Sequence, residues 1–285
     1  MVNYVVIDDF ISSDTTKSLI KDIEQFDNSA LPIIHGGRSI LTSSKPIFSD
    51  LMESSSYWRE LYTKFSDSTF FDFCCNQLDF EEHYRKRFYL TRFFNHYSTD
   101  LSKKIRRVNQ RPCNIISTPT LLLLAFSRLI KHCYFILKYL PQRIGLGGYP
   151  TELLFAYSCS KNGYYNSIHR DTDNRVIVFL LFLNSLDEKG SGGNLDFYKY
   201  MEDQSEIPST PEAEKCLKIE SIEPKPGRLV IFENTADALH GVDIMKDRKE
   251  GRHFCYGSFT CLSGPTPRLK NYTREKLATE FFLDM

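Results

Sequence analysis

Hydrophobic and polar positions change their period partway along this chain. Tyr4-Val5-Val6-Ile7 is a short, β-branched apolar run and predicts a strand that stops at Asp8-Asp9. Ser13 then reads as the N-cap of a helix reaching about Phe26, with Leu19, Ile20, Ile23 and Phe26 on one face. After a loop holding Pro32, Gly36 and Gly37, helical spacing returns over Tyr57–Phe65 and Thr69–Leu78, with aromatic residues on the buried side. A longer helix is expected from Thr120 to Leu140. From Thr151 the period shortens. Runs at Leu153–Tyr157, Val176–Leu183, Asn194–Tyr198, Ile219–Ile222, Arg228–Phe232 and His253–Thr260 are separated by turn residues at Asn162-Gly163, Gly190-Ser191-Gly192-Gly193 and Pro224–Gly227. Short strands punctuated this way predict an antiparallel β-sandwich or jelly roll, and with the helices an α+β fold. Polar Glu202–Lys215 reads as an exposed insertion and Thr273–Leu283 as a C-terminal helix.

Composition adjusts this picture in three ways. The 285 residues are 41% hydrophobic, enough for one large or two small domains. Lysine plus arginine equals aspartate plus glutamate at 36 each, so net charge predicts no polyanionic partner. The distribution is uneven, because residues 84–143 hold thirteen lysines and arginines against the single acid Asp100. Interleaved Tyr84, Phe88, Tyr89, Phe93, Phe94 and Tyr97 leave two readings of that stretch. One is a stacking platform for single-stranded nucleic acid, and the other is helix core beneath a solvated basic face. The second is preferred, with an anionic substrate or an acidic carrier protein next and nucleic acid the weakest expectation. The uncharged stretch Pro112–Ser127 contains Asn114, Thr118 and Pro119 and falls short of the ~20 apolar residues of a transmembrane helix, so none is expected. Eight scattered cysteines, no C-x-x-C and no secretory signal after Met1 fit reduced thiols in a cytoplasmic protein better than a disulfide framework or a zinc ribbon.

The chemistry concentrates in His169-Arg170-Asp171 and the distant His240. Residues two apart on an extended chain point to the same side, so His169 and Asp171 can reach one metal while Arg170 faces away. Two imidazoles and a carboxylate on one face of an octahedron suit non-haem iron(II) and leave the opposite face open. A His-x-Asp alone is ordinarily a surface pair, so its surroundings decide. They are Tyr157, Gly163-Tyr164, then Phe179-Leu180-Leu181-Phe182-Leu183-Asn184, then Gly192-Gly193-Asn194-Leu195. Pro224-Lys225-Pro226-Gly227 follows, with Leu229–Phe232, His240-Gly241-Val242 and Gly251-Arg252-His253-Phe254.

In that order, Leu153 to Phe259 resembles the core of a 2-oxoglutarate/iron(II)-dependent dioxygenase of the prolyl-4-hydroxylase-like group. The resemblance implies a double-stranded β-helix (jelly-roll, cupin-like) catalytic core over 150–262. A mostly helical supporting region, 1–149, and a C-terminal helix or tail, 263–285, would flank it. It implies iron(II) on His169, Asp171 and His240, with 2-oxoglutarate as co-substrate, dioxygen as oxidant and ascorbate as reductant. Arg252 would pair with the distal carboxylate of 2-oxoglutarate, and Tyr157 would help hold the co-substrate. Arg248 is the competing arginine, in the charged loop Lys246–Glu250. Asp171 itself favours hydroxylation over halogenation, since halogenating relatives carry a small residue there. Departures are Phe182, where some relatives have tyrosine, the twelve-residue gap from His240 to Arg252, and Phe254 in place of a small hydroxyl residue. The substrate class stays open between a peptide side chain and a small molecule. Two other readings stay open: a non-catalytic cupin-like metal- or ligand-binding module, and a nucleic-acid-directed oxygenase using 84–143. Asn166, Asp173 and Arg175 are placed near the mouth of the site, and His253 on the opposite face from Arg252.

Overall fold

A computed structural model describes residues 2–26, 33–34, 37–80, 88–90, 149–186, 190–202 and 207–261. Apart from Phe88–Leu90, the basic stretch lies outside these residues, as do the helices expected at Thr120–Leu140 and Thr273–Leu283.

Among the described residues, four helices precede the main β-region. Helix α1, Ser13–Gln25, is capped by Ser12 rather than Ser13: Ser12 is extended (φ −66°, ψ 152°) and its Oγ accepts from the Thr15 amide. Helix α2, Pro46–Ser54, had no counterpart in the sequence reading; it is nine residues long and opens on a proline, so it shows few turns of periodicity. Ser55 caps α3, Ser56–Ser66, and Asp67 caps α4, Ser68–Gln77, each by accepting a backbone amide hydrogen bond.

The strands are β1 Tyr4–Ile7, β2 Ile33–Ile34, β3 Arg38–Thr42, β4 Phe88–Leu90, β5 Tyr149–Ser160, β6 Asn166–His169, β7 Arg175–Phe182, β8 Leu195–Tyr200, β9 Cys216–Ile222, β10 Leu229–Glu233, β11 Leu239–Val242 and β12 Arg252–Cys261. The larger sheet runs β1-β10-β7-β12-β5-β3-β2, with β4 also on β5, and the smaller runs β6-β11-β8-β9. From β5 to β12 the chain passes back and forth between the two sheets. This is the jelly-roll, double-stranded β-helix arrangement, and with the helices the fold is α+β. The expected change at residue 149/150 is not a boundary in the sheet, because β1 pairs with β10 and β3 with β5.

Period-2 alternation along β7 sorts its side chains into two cores. Ile177, Phe179 and Leu181 face the helices, where they pack with Leu19, Trp58, Phe65 and Phe70. Val178, Leu180 and Phe182 face the smaller sheet and meet Leu195 and Phe197. Both faces of the larger sheet are therefore buried, which explains why β7 reads as a continuous apolar run. Gly257 in β12 makes this packing possible. A Cβ there would lie 2.1 Å from the Phe179 ring, whose centroid sits 4.9 Å from that of Phe65. Gly257→Ala is expected to cost about 1–3 kcal/mol by overpacking. Differential scanning calorimetry would record this as a melting temperature lowered by several degrees, and an unchanged temperature would contradict the packing account.

Candidate iron and co-substrate site

His169 ends β6 and His240 lies in β11, directly opposite in the antiparallel register. Their rings are 4.4 Å apart between centroids. Asp171, two residues beyond His169, completes a set of three ligand atoms all within 4.8 Å of one another. His240 Nε2 is 3.8 Å from Asp171 Oδ2.

Each imidazole is oriented by its own backbone. His169 Nδ1 lies 2.8 Å from Ser167 O, and His240 Nδ1 lies 3.0 Å from Ala238 O. A carbonyl can only accept, so both Nδ1 atoms carry the proton and both Nε2 lone pairs are free for a metal. Burial lowers the His240 pKa to about 4, against the opposing pull of Asp171, which keeps the ring neutral at pH 7. Asp171 is 9% exposed. Arg175 Nη1 donates to its Oδ1, and the Tyr256 hydroxyl is 3.3 Å from its Oδ2. Arg170 is turned away as expected, donating to Asp173 Oδ1 at 2.9 Å.

The same cavity, about 400 Å³, extends from these three residues to Arg252. Arg252 is 1% exposed, and no acceptor among the described residues reaches its Nε or Nη2. Its guanidinium carbon lies 5.0 Å from the Phe182 ring centroid and 4.3 Å from that of Phe254. Burial lowers its pKa to about 10, so it stays charged at neutral pH. A buried cation with unsatisfied N–H groups is costly unless an anion joins it, and a carboxylate matches the guanidinium fork. The donor set at one end and the unsatisfied guanidinium at the other fit iron(II) and a dicarboxylate co-substrate. The two aromatic departures, Phe182 and Phe254, form the walls around that guanidinium.

Arg248 lies elsewhere. Its Nη2 donates to Gly192 O at 2.9 Å, and its backbone amide donates to Asn162 Oδ1 at 2.9 Å. Asn166 and Arg175 line the cavity.

Tyr157 does not reach this site, which corrects the expectation for it. Parity is the reason. On β5, Leu154 and Ala156 face the cavity, whereas Tyr157 stands opposite Cys255 and faces the helices. Its ring packs edge-on against Trp58 at 5.4 Å, and its hydroxyl is 2.8 Å from His253 Nδ1. His253 is thus on the far face, as alternation requires. Tyr157→Phe is expected to change the KM for 2-oxoglutarate by less than about twofold in a succinate-release assay. A tenfold rise would restore the tyrosine to the co-substrate site.

Arg38, Tyr164 and Tyr256 are among the cavity residues that were not foreseen. Tyr256 was accessible in principle, since it shares the parity of Arg252 and Phe254 on one strand. Arg38 carried no signal, because it lies in a segment whose spacing indicated only a loop.

Residues 154–257 match the family described as the 2OG-Fe(II) oxygenase superfamily. That segment carries the His-x-Asp, the second histidine and the buried arginine. Among solved structures, the chain is similar to a Pseudomonas putida prolyl-4-hydroxylase, with 14% identity, 92% of this chain, 94% of that chain and a TM-score of 0.43. It is also similar to a Phytophthora capsici prolyl 4-hydroxylase, with 14% identity, 99% of this chain, 68% of that chain and a TM-score of 0.46. The carbocyclase SnoK from nogalamycin biosynthesis is similar at 9% identity, over 92% of this chain and 83% of that chain, with a TM-score of 0.45. No curated protein matches the chain. Among the described residues, no helix is long and apolar enough to cross a membrane.

Proposed function

We propose that this protein is an iron(II)/2-oxoglutarate-dependent hydroxylase in which His169, Asp171 and His240 hold the iron and Arg252 holds the distal carboxylate of 2-oxoglutarate. The observation that carries the reading is the placement of a fully buried, unsatisfied guanidinium in the same cavity as the His-Asp-His set. A metal-binding module without a co-substrate has no use for that cation.

Bound iron(II) with 2-oxoglutarate supplies the oxidising chemistry, which the protein directs at an unactivated C–H of a peptide side chain or small molecule. The chain's own groups orient and insulate. His169 and His240 present Nε2, and Arg175 with Tyr256 fixes the Asp171 carboxylate. Arg252 sets the direction of the co-substrate, and Leu180 and Phe254 keep that part of the cavity apolar. A carboxylate at position 171 fills the place a halide would need, so hydroxylation is the expected outcome.

Incubation of the purified chain with iron(II), ascorbate, dioxygen and 2-oxoglutarate, reading succinate, tests the proposal. Succinate formation that depends on iron supports it. Its absence across a library of peptides and metabolites would leave the binding-module reading.

A further inference from the structure

The cavity holds more positive charge than the proposed reaction uses. Three guanidinium groups line it, those of Arg38, Arg175 and Arg252, against one carboxylate, Asp171. Arg175 is paired with Asp171. Iron(II) and the 2-oxoglutarate dianion together bring no net charge, so the loaded cavity still has an excess of cations. Excess charge in a partly desolvated space favours an anionic guest.

Arg38 is the group placed to receive it. It stands on β3, outside the 154–257 segment, on a strand near the edge of the larger sheet. Its Nε donates to Ser158 Oγ at 2.5 Å, and that hydroxyl donates onward to Ser39 O at 3.2 Å. Its guanidinium carbon is 5.3 Å from the Phe254 centroid and 5.9 Å from that of Tyr164. These contacts fix the guanidinium while leaving Nη1 and Nη2 with no acceptor among the described residues. The two terminal nitrogens are the fork that binds a carboxylate side-on.

Arg38 and Arg252 both stand opposite Ser160, so their backbones share one row across the sheet. Their side chains are placed differently. Arg252 is fully buried, whereas Arg38 is half-buried, and its bond to Ser158 draws it along the strand to the row of Phe254. Both guanidiniums line the cavity against the Phe254 ring, Arg252 the more deeply buried and Arg38 beside Ile40 and Thr42 of its own strand face.

We propose that Arg38 is the substrate anchor of this oxygenase and that the substrate carries a carboxylate. The inference rests on the proposed function, which leaves Arg252 to the co-substrate. Its test is a calorimetric titration of the full chain saturated with zinc(II), which is redox-inert, and 2-oxoglutarate. The probes are small carboxylic acids, each beside its methyl ester, and a set of phosphate monoesters. At least one acid is expected to bind, with its ester at least about tenfold weaker. Arg38→Gln should weaken that acid about tenfold or more and change 2-oxoglutarate affinity less than threefold. Equal binding of acids and esters, preference for the phosphate esters, or no bound acid would overturn the proposal. So would an Arg38→Gln loss of 2-oxoglutarate affinity as large as the loss for the acid, which would assign Arg38 to the co-substrate. A wild-type protein that binds no 2-oxoglutarate sinks the functional reading instead, and acid binding lost in Arg38→Gln but kept in Arg252→Gln on metal-free protein still decides this one.

Discussion

His169→Ala is expected to reduce iron-dependent succinate formation by more than about a thousandfold, since losing a metal ligand removes several kcal/mol of stabilisation. His169 is the most informative ligand to replace. It is partly exposed, whereas His240 packs 4.9 Å from the Phe232 ring, so His240→Ala would also open a gap in the core. Asp171→Ala has a similar complication, because it would strand Arg175. Asp171→Asn keeps the shape and halves the comparison cleanly. Circular dichroism and melting temperature of the metal-free His169 variant should match wild type, while iron(II) titration shows weakened binding. Turnover at the wild-type rate would refute the iron assignment.

Arg252→Gln should have the next largest effect, and it acts on a different parameter. The KM for 2-oxoglutarate is expected to rise about a hundredfold, the range for losing hydrogen bonds to a charged group in a buried pair. A structural arginine would instead lower stability on removal. Among the described residues no acceptor reaches Arg252 Nε or Nη2, so glutamine should leave the melting temperature within a few degrees. Added 2-oxoglutarate should raise the melting temperature of wild type through binding linkage and leave the variant unmoved. A variant that melts far lower yet keeps its co-substrate affinity would make Arg252 a packing residue.

The jelly roll and the meeting of His169 with Asp171 were legible because each rests on a short-range rule. Alternation wrote out β7, and the i, i+2 relation put His169 and Asp171 on one side. What stayed hidden depended on pairings between remote segments. Strands β6 and β11, which carry His169 and His240, have only four residues each and showed no alternation of their own. Tyr157 was assigned to the wrong face because parity on β5 is fixed only by its register with β12, which puts Tyr157 opposite Cys255. Arg38 was missed for the same reason, since a five-residue strand following a Gly-Gly pair becomes a cavity wall only by pairing with β5. Arg252 was preferred to Arg248 because Arg248 falls in the charged loop Lys246–Glu250, and Arg252 is the one that lines the cavity.

The pairing of Tyr4 with Phe232 and of His169 with His240 has a consequence for how the protein comes into being. Such long-range ladders make folding slow, because loop-closure entropy is spent before any contact is gained. During synthesis, a nascent chain that has not yet emerged beyond β11 owns two of the three ligand side chains and no centre for them to form. Arg252 arrives later still, on the last described strand. Assembly of the His169, Asp171 and His240 cluster, and of Arg252 in the same cavity, is therefore a late event in the life of the chain.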